Sequence, residues 1–156
     1  MSSESQCVVR PFTVFDFFFL RKLRNKRGVR EVSGEREYIT MWQHLKWFIK
    51  FCLNPHNEIW VAEVAGKKVG YLRLESNPRL RLHFVSIAVD PGYHRLGVGS
   101  AMIRAMDEWC QSQGIEHVRA LIFPDNIVSK KFFHAMGFAL LSANSQVELW
   151  ERKYSL

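Results

Sequence analysis

The chain has 156 residues, 47% hydrophobic and 24% charged, a balance that supports one packed domain over residues 1–156 and excludes disordered or fibrous architectures. Its longest apolar run, Phe17–Leu20, is preceded by Asp16 and is far too short to cross a bilayer, so no membrane partner is expected. The formal charge of +7 suits a polyanionic small ligand as well as a nucleic acid, but the basic stretches at 21–36 and 79–81 carry neither zinc-finger spacing nor an RNA-reading aromatic motif, and no nucleic-acid partner is expected.

The first six residues lack a basic leader followed by an apolar run, and Cys7, Cys52 and Cys110 have no paired spacing. Reduced thiols packed as small apolar groups and a cytoplasmic location are the expectation. A strand is predicted from Cys7 to Phe12, then a helix from Val14 to Arg24 with Phe15, Phe18, Phe19 and Leu23 as its core-facing stripe. Residues 25–38 read as a loop with a short helical turn. Thr40 caps a second helix that ends before Asn54-Pro55, with Leu45, Phe48, Ile49 and Cys52 on its apolar side and Lys46 and Lys50 opposite.

Two strands, Ile59–Val64 and Val69–Glu75, flank a hairpin turn at residues 65–68, and a third strand spans Leu82–Val89. A helix from Val98 to Gln113 has Val98, Ala101, Met102, Ala105 and Trp109 as its buried stripe and Gly114 at its end. A strand at His117–Phe123, a helix capped by Asp125 or Asn126 and stopped at Gly137, and closing strands at Ala139–Leu141 and Gln146–Tyr154 complete the chain. This order predicts an α/β (α+β) domain built on a mixed, mostly antiparallel sheet of six to seven strands, with helices on both faces.

The stretch Val85-Ser86-Ile87-Ala88-Val89-Asp90-Pro91-Gly92-Tyr93-His94-Arg95-Leu96-Gly97-Val98-Gly99-Ser100 carries the chemistry. A strand feeds a glycine-containing turn that opens directly into a helix, and the positive end of that helix faces the turn, which makes an anion site. It lacks the Gly-Lys-Ser/Thr ending of a nucleotide-hydrolysing loop and the full glycine pattern of a dinucleotide fingerprint.

This turn resembles the acetyl-CoA-binding motif of the GNAT superfamily of acyl-CoA N-acetyltransferases, Gln/Arg-x-x-Gly-x-Gly/Ala, with His94, Gly97 and Gly99 at its fixed positions. His94 departs from the usual Gln or Arg, and Arg95 supplies a neighbouring charge. A second block, Asn126-Ile127-Val128-Ser129-Lys130-Lys131-Phe132-Phe133-His134-Ala135-Met136-Gly137-Phe138, resembles the family's Asn-x-x-Ala-x-x-Leu-Tyr-x-x-x-Gly-Phe motif. The resemblance implies a GNAT fold, acetyl-CoA as cofactor and a monomer or homodimer. It implies a cofactor site made of Ile87, Ala88, Val89, His94, Arg95, Leu96, Gly97, Val98, Gly99 and Ser100, joined by Asn126, Ser129, Phe132 and Phe133.

Phe133 stands where the family often has a tyrosine that protonates the departing thiolate, so water, His134 or Tyr93 takes that role, the thiolate leaves unaided, or the chain binds acetyl-CoA with weak turnover. His83, on the strand leading into the turn, is the expected general base for a primary amine, with Glu75 as substitute. Main-chain N–H groups near Ile87–Val89 polarise the thioester carbonyl. No metal is expected, because the histidines lack ligand spacing.

The N-terminal half, with Leu23-Arg24-Asn25, Val29-Arg30, Ile39-Thr40 and Gln43-His44-Leu45-Lys46-Trp47-Phe48, resembles bacterial acetyltransferases of nucleotide-linked amino sugars, including the pseudaminic-acid type. That likeness places Arg24, Asn25, Arg30 and His44 at the acceptor, a small-molecule amine, with arginine forks suited to a diphosphate. A protein N-terminus or another small amine is the alternative, and a polyamine would need Glu31, Glu35 or Glu37 in the pocket.

Overall fold

In the computed structural model, which describes residues 6–31 and 37–155, the chain runs β1 (Cys7–Pro11), α1 (Phe17–Arg24), α2 (Arg27–Arg30), α3 (Met41–Cys52), β2 (Glu58–Val64), β3 (Lys67–Asn77), β4 (Leu82–Val89), α4 (Val98–Ser112), β5 (His117–Ile122), α5 (Ile127–Ala135), β6 (Ala139–Ala143) and β7 (Glu148–Lys153). The strands form one mixed sheet in the order β1-β2-β3-β4-β5-β7-β6. Glu35, a candidate acceptor-pocket acid, lies outside the described residues.

The β2–β3 connection is tighter than the four-residue turn expected from sequence. Only Ala65 and Gly66 turn the chain, with φ of 50° and 76°, and the ladder resumes at once with Val64 opposite Lys67. Two consecutive left-handed residues match the twist of the flanking strands.

From β1 to β4 every neighbour is antiparallel, and β3 pairs with β4 continuously from Gly70 and Val89 to Asn77 and Leu82. The next pair is parallel and barely formed. β4 and β5 register only at Phe84 and Arg119, so the sheet parts between Val85 and the turn that follows Val89.

Because β side chains alternate, the two faces of the sheet are built from interleaved residues. On one face Leu72, Leu74 and Val85 pack with Met102, Ile103, Met106 and Cys110 of α4, and with Val118, Phe133 and Phe138. On the other, Ile59, Val61, Tyr71 and Ala88 pack beneath Leu20 and Leu23 of α1, Val29 of α2 and Phe51 of α3. Each large apolar side chain removed from water this way contributes about 1.5–3 kcal/mol.

Three helical faces are turned in part from those expected: Leu23 and Phe19 of α1 and Val98 and Met102 of α4 face inward as predicted, and other positions do not. Phe15 and Phe18 are 84% and 66% exposed, and the inward positions go to Asp16, Leu20, Leu23 and Arg24. The cause is polar: Asp16 has no solvent exposure and takes both Arg10 guanidinium nitrogens at 2.8 Å and Lys68 Nζ at 2.7 Å, which fixes the rotation of the single 3-10 turn at residues 14–16 and of the helix that follows. In α3, Leu45, Ile49 and Cys52 are exposed while His44, Trp47 and Phe51 turn inward, because His44 Nε2–H donates to the Phe17 carbonyl at 2.8 Å. Cys52 is therefore not a packed thiol, whereas Cys110 is buried. In α4 the deepest residues are Val98, Met102, Ile103, Met106 and Cys110, with Ala101, Ala105 and Trp109 on the flanks. No helix among the described residues is long and apolar enough to cross a membrane.

Candidate active site

Where β4 and β5 part, a cavity of about 130 Å³ opens, lined by Val85, Ser86, Ile87 and Ala88 of β4 and by Leu121, Ile122 and Phe123. Main-chain groups of β4 that a continuous ladder would occupy face this opening. Asn126, Ser129 and Phe133 close it from the α5 side, and Arg24, Val29, Tyr71 and Arg73 from the other.

At the end of β4 the chain enters a turn that includes a 3-10 segment at Pro91–Tyr93, where the Tyr93 N–H donates to the Asp90 carbonyl at 2.8 Å and the His94 N–H to the Pro91 carbonyl at 3.4 Å. The Asp90 N–H donates to the Val69 carbonyl at 2.7 Å, Asp90 Oδ1 accepts the Gly92 N–H at 3.1 Å, and His94 Nε2–H donates to the Val89 carbonyl at 3.1 Å. Arg95 and Gly97 are left-handed, with φ of 63° and 77°. Gly97 is the N-cap of α4 and has no side chain to cap it. The in-helix ladder begins with the Ala101 N–H on the Gly97 carbonyl at 3.0 Å, so the first-turn amides of Val98, Gly99 and Ser100 have no intrahelical acceptor and sit at the positive end of the helix. No heavy atom lies within 4 Å of where a Cβ on Gly97 would stand. An open row of aligned donors is an anion cradle.

The predicted cofactor residues contribute unequally. Val98 is 1% exposed, so its side chain belongs to the core and only its amide addresses the turn. Leu96, at 63%, points to solvent. Phe132 packs on Gly99, and Asn126 Oδ1 accepts the Ser129 N–H at 3.1 Å, capping α5. Phe133 is buried against Phe138, with ring centroids 5.0 Å apart.

A larger cavity of about 380 Å³ adjoins the first and shares Arg24, Tyr71 and Arg73 with it. Leu20, Tyr38, Ile39, His44 and Trp47 form its apolar and aromatic walls, and Glu37 and Gln43 also reach it. The Arg73 guanidinium lies 5.1 Å from the Trp47 ring centroid and 3.3 Å from Glu75. Burial lowers the pKa of His44; the Phe17 carbonyl opposes this and nearby Arg21 adds to it. The charged residues lining the two walls are Arg24, Arg73 and Glu37, and Glu75 pairs with Arg73 at their edge.

Among the acceptor residues inferred from resemblance, Arg24 and His44 line this cavity. Asn25 buttresses the wall, because its Nδ2 donates to the Ile39 carbonyl at 2.8 Å and its Oδ1 accepts the Ile39 N–H at 2.7 Å. Arg30 belongs to α2 and lies outside both linings.

His83 is not brought to the cleft. It pairs in register with Ser76 on the α4 face, its Nδ1 lies 2.7 Å from Ser76 Oγ, and it lines a separate cavity of about 630 Å³ with His56, Trp109 and His117. Burial lowers its pKa, with His117 and His56 adding to the shift. Glu75 sits on the cleft face, two residues beyond Arg73. Among the described residues no three His, Cys, Asp or Glu side chains are grouped to hold a metal ion.

Sequence reasoning missed Tyr71, Arg73, Trp47 and the β5 residues Leu121 and Ile122. The alternation of Tyr71, Arg73 and Glu75 was the available signal for a polar sheet face.

A model of the acetyltransferase (GNAT) family matches residues 20–138. The chain belongs to this family. GNAT enzymes are acetyltransferases that use acetyl-CoA as cosubstrate, and the matched span contains the parted β4–β5 edge and the glycine-containing turn. The L-amino acid N-acetyltransferase AaaT of Escherichia coli is 27% identical over 142 residues, 84% of this chain and 87% of that protein. A domain from Methanocaldococcus jannaschii superposes with a TM-score of 0.83 at 18% identity, covering 96% of this chain and 99% of that one. The yncA protein of Salmonella typhimurium, solved with its cofactor acetyl-CoA, superposes with a TM-score of 0.80 at 15% identity, covering 97% and 96%. The chain spans 12% and 49% of the lengths of two further curated relatives, an acetyl transferase of Oryza sativa and an uncharacterized N-acetyltransferase of M. jannaschii.

Proposed function

We propose that this chain transfers the acetyl group of acetyl-CoA to the primary amine of a small molecule that also carries an anionic group. The observation that supports it is the adjacency of an anion cradle at the start of α4, where Gly99 lies against Ile87 of the parted β4 edge, to a cleft lined by Arg24, Arg73 and Glu37, with Glu75 paired to Arg73.

In this reading the amides of Val98, Gly99 and Ser100 hold the pyrophosphate, and the β4 edge at Ile87–Val89 aligns the thioester and polarises its carbonyl. Arg73, stacked on Trp47, and Arg24 bind the acceptor's anion and set its amine against the carbonyl carbon. The C–N bond forms, the C–S bond breaks, and the thiolate leaves. Glu75, which lies outside both cavity linings beside Arg73, takes the amine proton through water, since it shares the sheet face of the cleft and His83 does not. Phe133 has no proton to give. Tyr71, which lines the same cavity, supplies the hydroxyl that protonates the thiolate, in preference to His134 or Tyr93, which lie outside the lining.

The anion is a carboxylate in an amino acid and a phosphate in a nucleotide-linked amino sugar, and AaaT, an L-amino acid N-acetyltransferase by name, illustrates the first. Thiol release from acetyl-CoA measured with L-amino acids, nucleotide-linked amino sugars, a peptide and spermidine tests the reading. An anionic acceptor should react, with kcat/KM reduced tenfold or more in Arg73→Ala, about 1.4 kcal/mol. Preference for spermidine overturns the acceptor class. CoA binding without release for any amine favours a weakly catalytic acetyl-CoA-binding module, the reading that Phe133 supports.

A further inference from the structure

The segment that supplies the acceptor-side wall rests on the cofactor turn at two points. Lys26 Nζ pairs with Asp90 Oδ2, while Oδ1 of the same carboxylate holds the Gly92 N–H at 3.1 Å. Two residues on, Gly28 backs onto Pro91 so closely that a Cβ there would stand 2.9 Å from Pro91 Cγ. Arg24 and Val29, on either side of these seats, line the reaction cavity.

The seats matter because both partners are short surface segments. α2 has four residues, too few for a helix to be stable without tertiary support. Most side chains from Pro91 to Gly97 are exposed, and the bonds within the turn are local ones among residues 89–94. An anion gripped by the amides after Gly97 restricts the turn and thereby firms the surface on which Lys26 and Gly28 sit.

We propose that Lys26 and Gly28 are positioning residues that couple the two halves of the site: filling the cofactor turn orders the segment 24–31, which brings Arg24 and Val29 to the cavity. The inference rests on the reading of Asp90–Gly99 as the cofactor turn. Coupling of this kind is reciprocal, so an ordered wall also strengthens cofactor binding.

Hydrogen exchange with and without saturating CoA tests it on the full chain, with calorimetry for CoA affinity and thermal melts as a check of folding. In the wild type and in Lys26→Arg, CoA should slow exchange at residues 24–31 as well as at 90–100. In Lys26→Met and Gly28→Ala the slowing at 24–31 should vanish while that at 90–100 persists, and CoA should bind about two- to fivefold more weakly. A merely structural role would speed exchange equally with and without CoA, and that result overturns the proposal. So does a wild type whose residues 24–31 ignore bound CoA. Failure of the wild type to bind CoA removes the cofactor-turn reading as well, so calorimetry separates the two failures.

Discussion

Gly99 at the start of α4 and Phe132 of α5 touch so closely that a methyl group on the glycine would stand 2.9 Å from the ring carbon Cε2 and 3.0 Å from Cζ. Gly97, two residues earlier, has empty space around its Cα but a φ of +77°. One glycine is required by contact and the other by backbone conformation.

Gly99→Ala must displace Phe132, and such overpacking costs about 1–3 kcal/mol. Gly97→Ala meets no atom and loses only about 1–2 kcal/mol for a left-handed residue with a Cβ. Denaturant unfolding of Gly99→Ala, Phe132→Ala and the double variant forms a cycle. The double variant should be more stable than the sum of the single losses implies, and simple additivity would show that the ring does not dictate the glycine. Gly97→Trp, which fills the open cradle, should abolish CoA binding in calorimetry.

The buried Asp16 cluster predicts a second behaviour. Its carboxyl is held far below the ordinary 3.8 chiefly by the Arg10 hydrogen bonds, with Lys68 and the Thr13 N–H adding to them and burial opposing. The folded state resists the proton that the unfolded chain accepts. The stabilisation is therefore complete above the ordinary carboxylate value and is lost as the pH falls below it. Asp16→Asn should cost about 3 kcal/mol, the low end for breaking a buried pair, because Arg10 and Lys68 keep partial access to water. Melting curves between pH 5 and pH 3 should fall less steeply for Asp16→Asn than for the wild type, and equal slopes would contradict the assignment.

His44 gives a transition nearer neutrality. Its pKa is lowered from 6.5, chiefly by burial, so below that pH the unfolded chain binds a proton that the folded chain refuses. Stability therefore declines as the pH drops from 7 towards 5, and His83 contributes with the same sign. His44→Gln, which keeps a donor for the Phe17 carbonyl, should flatten that decline, and His44→Gln with His83→Gln should flatten it further. A wild-type melting temperature constant over this range would refute the prediction.

Much of the architecture was legible because it follows from local rules. Strand alternation, the Thr40 cap and the glycines at 66, 97, 114 and 137 place the elements, and the spacing from His94 to Gly99 marks the cradle. The rotations of α1 and α3 were not legible. A hydrophobicity pattern turns Phe15, Phe18, Leu45 and Ile49 inward, whereas Asp16 and His44 impose the opposite by finding distant partners in Arg10, Lys68 and Phe17. The larger cavity's wall was missed in part for a related reason: Arg73 and Trp47 are far apart in sequence from each other and from Arg24, and the three line one cavity only in the folded chain. Strand parity correctly groups His83 with Val85, but it does not say which sheet face α4 covers.

The lone ladder bridge at Phe84 and Arg119 has a mechanical consequence. Elsewhere, parting two central strands means breaking a run of main-chain bonds, while along this line the two portions of the molecule are fastened mainly by side-chain packing. The join behaves as a seam between a four-stranded portion packed on α4 and a three-stranded portion that carries α5, and a slender guest can wedge into it at little backbone cost.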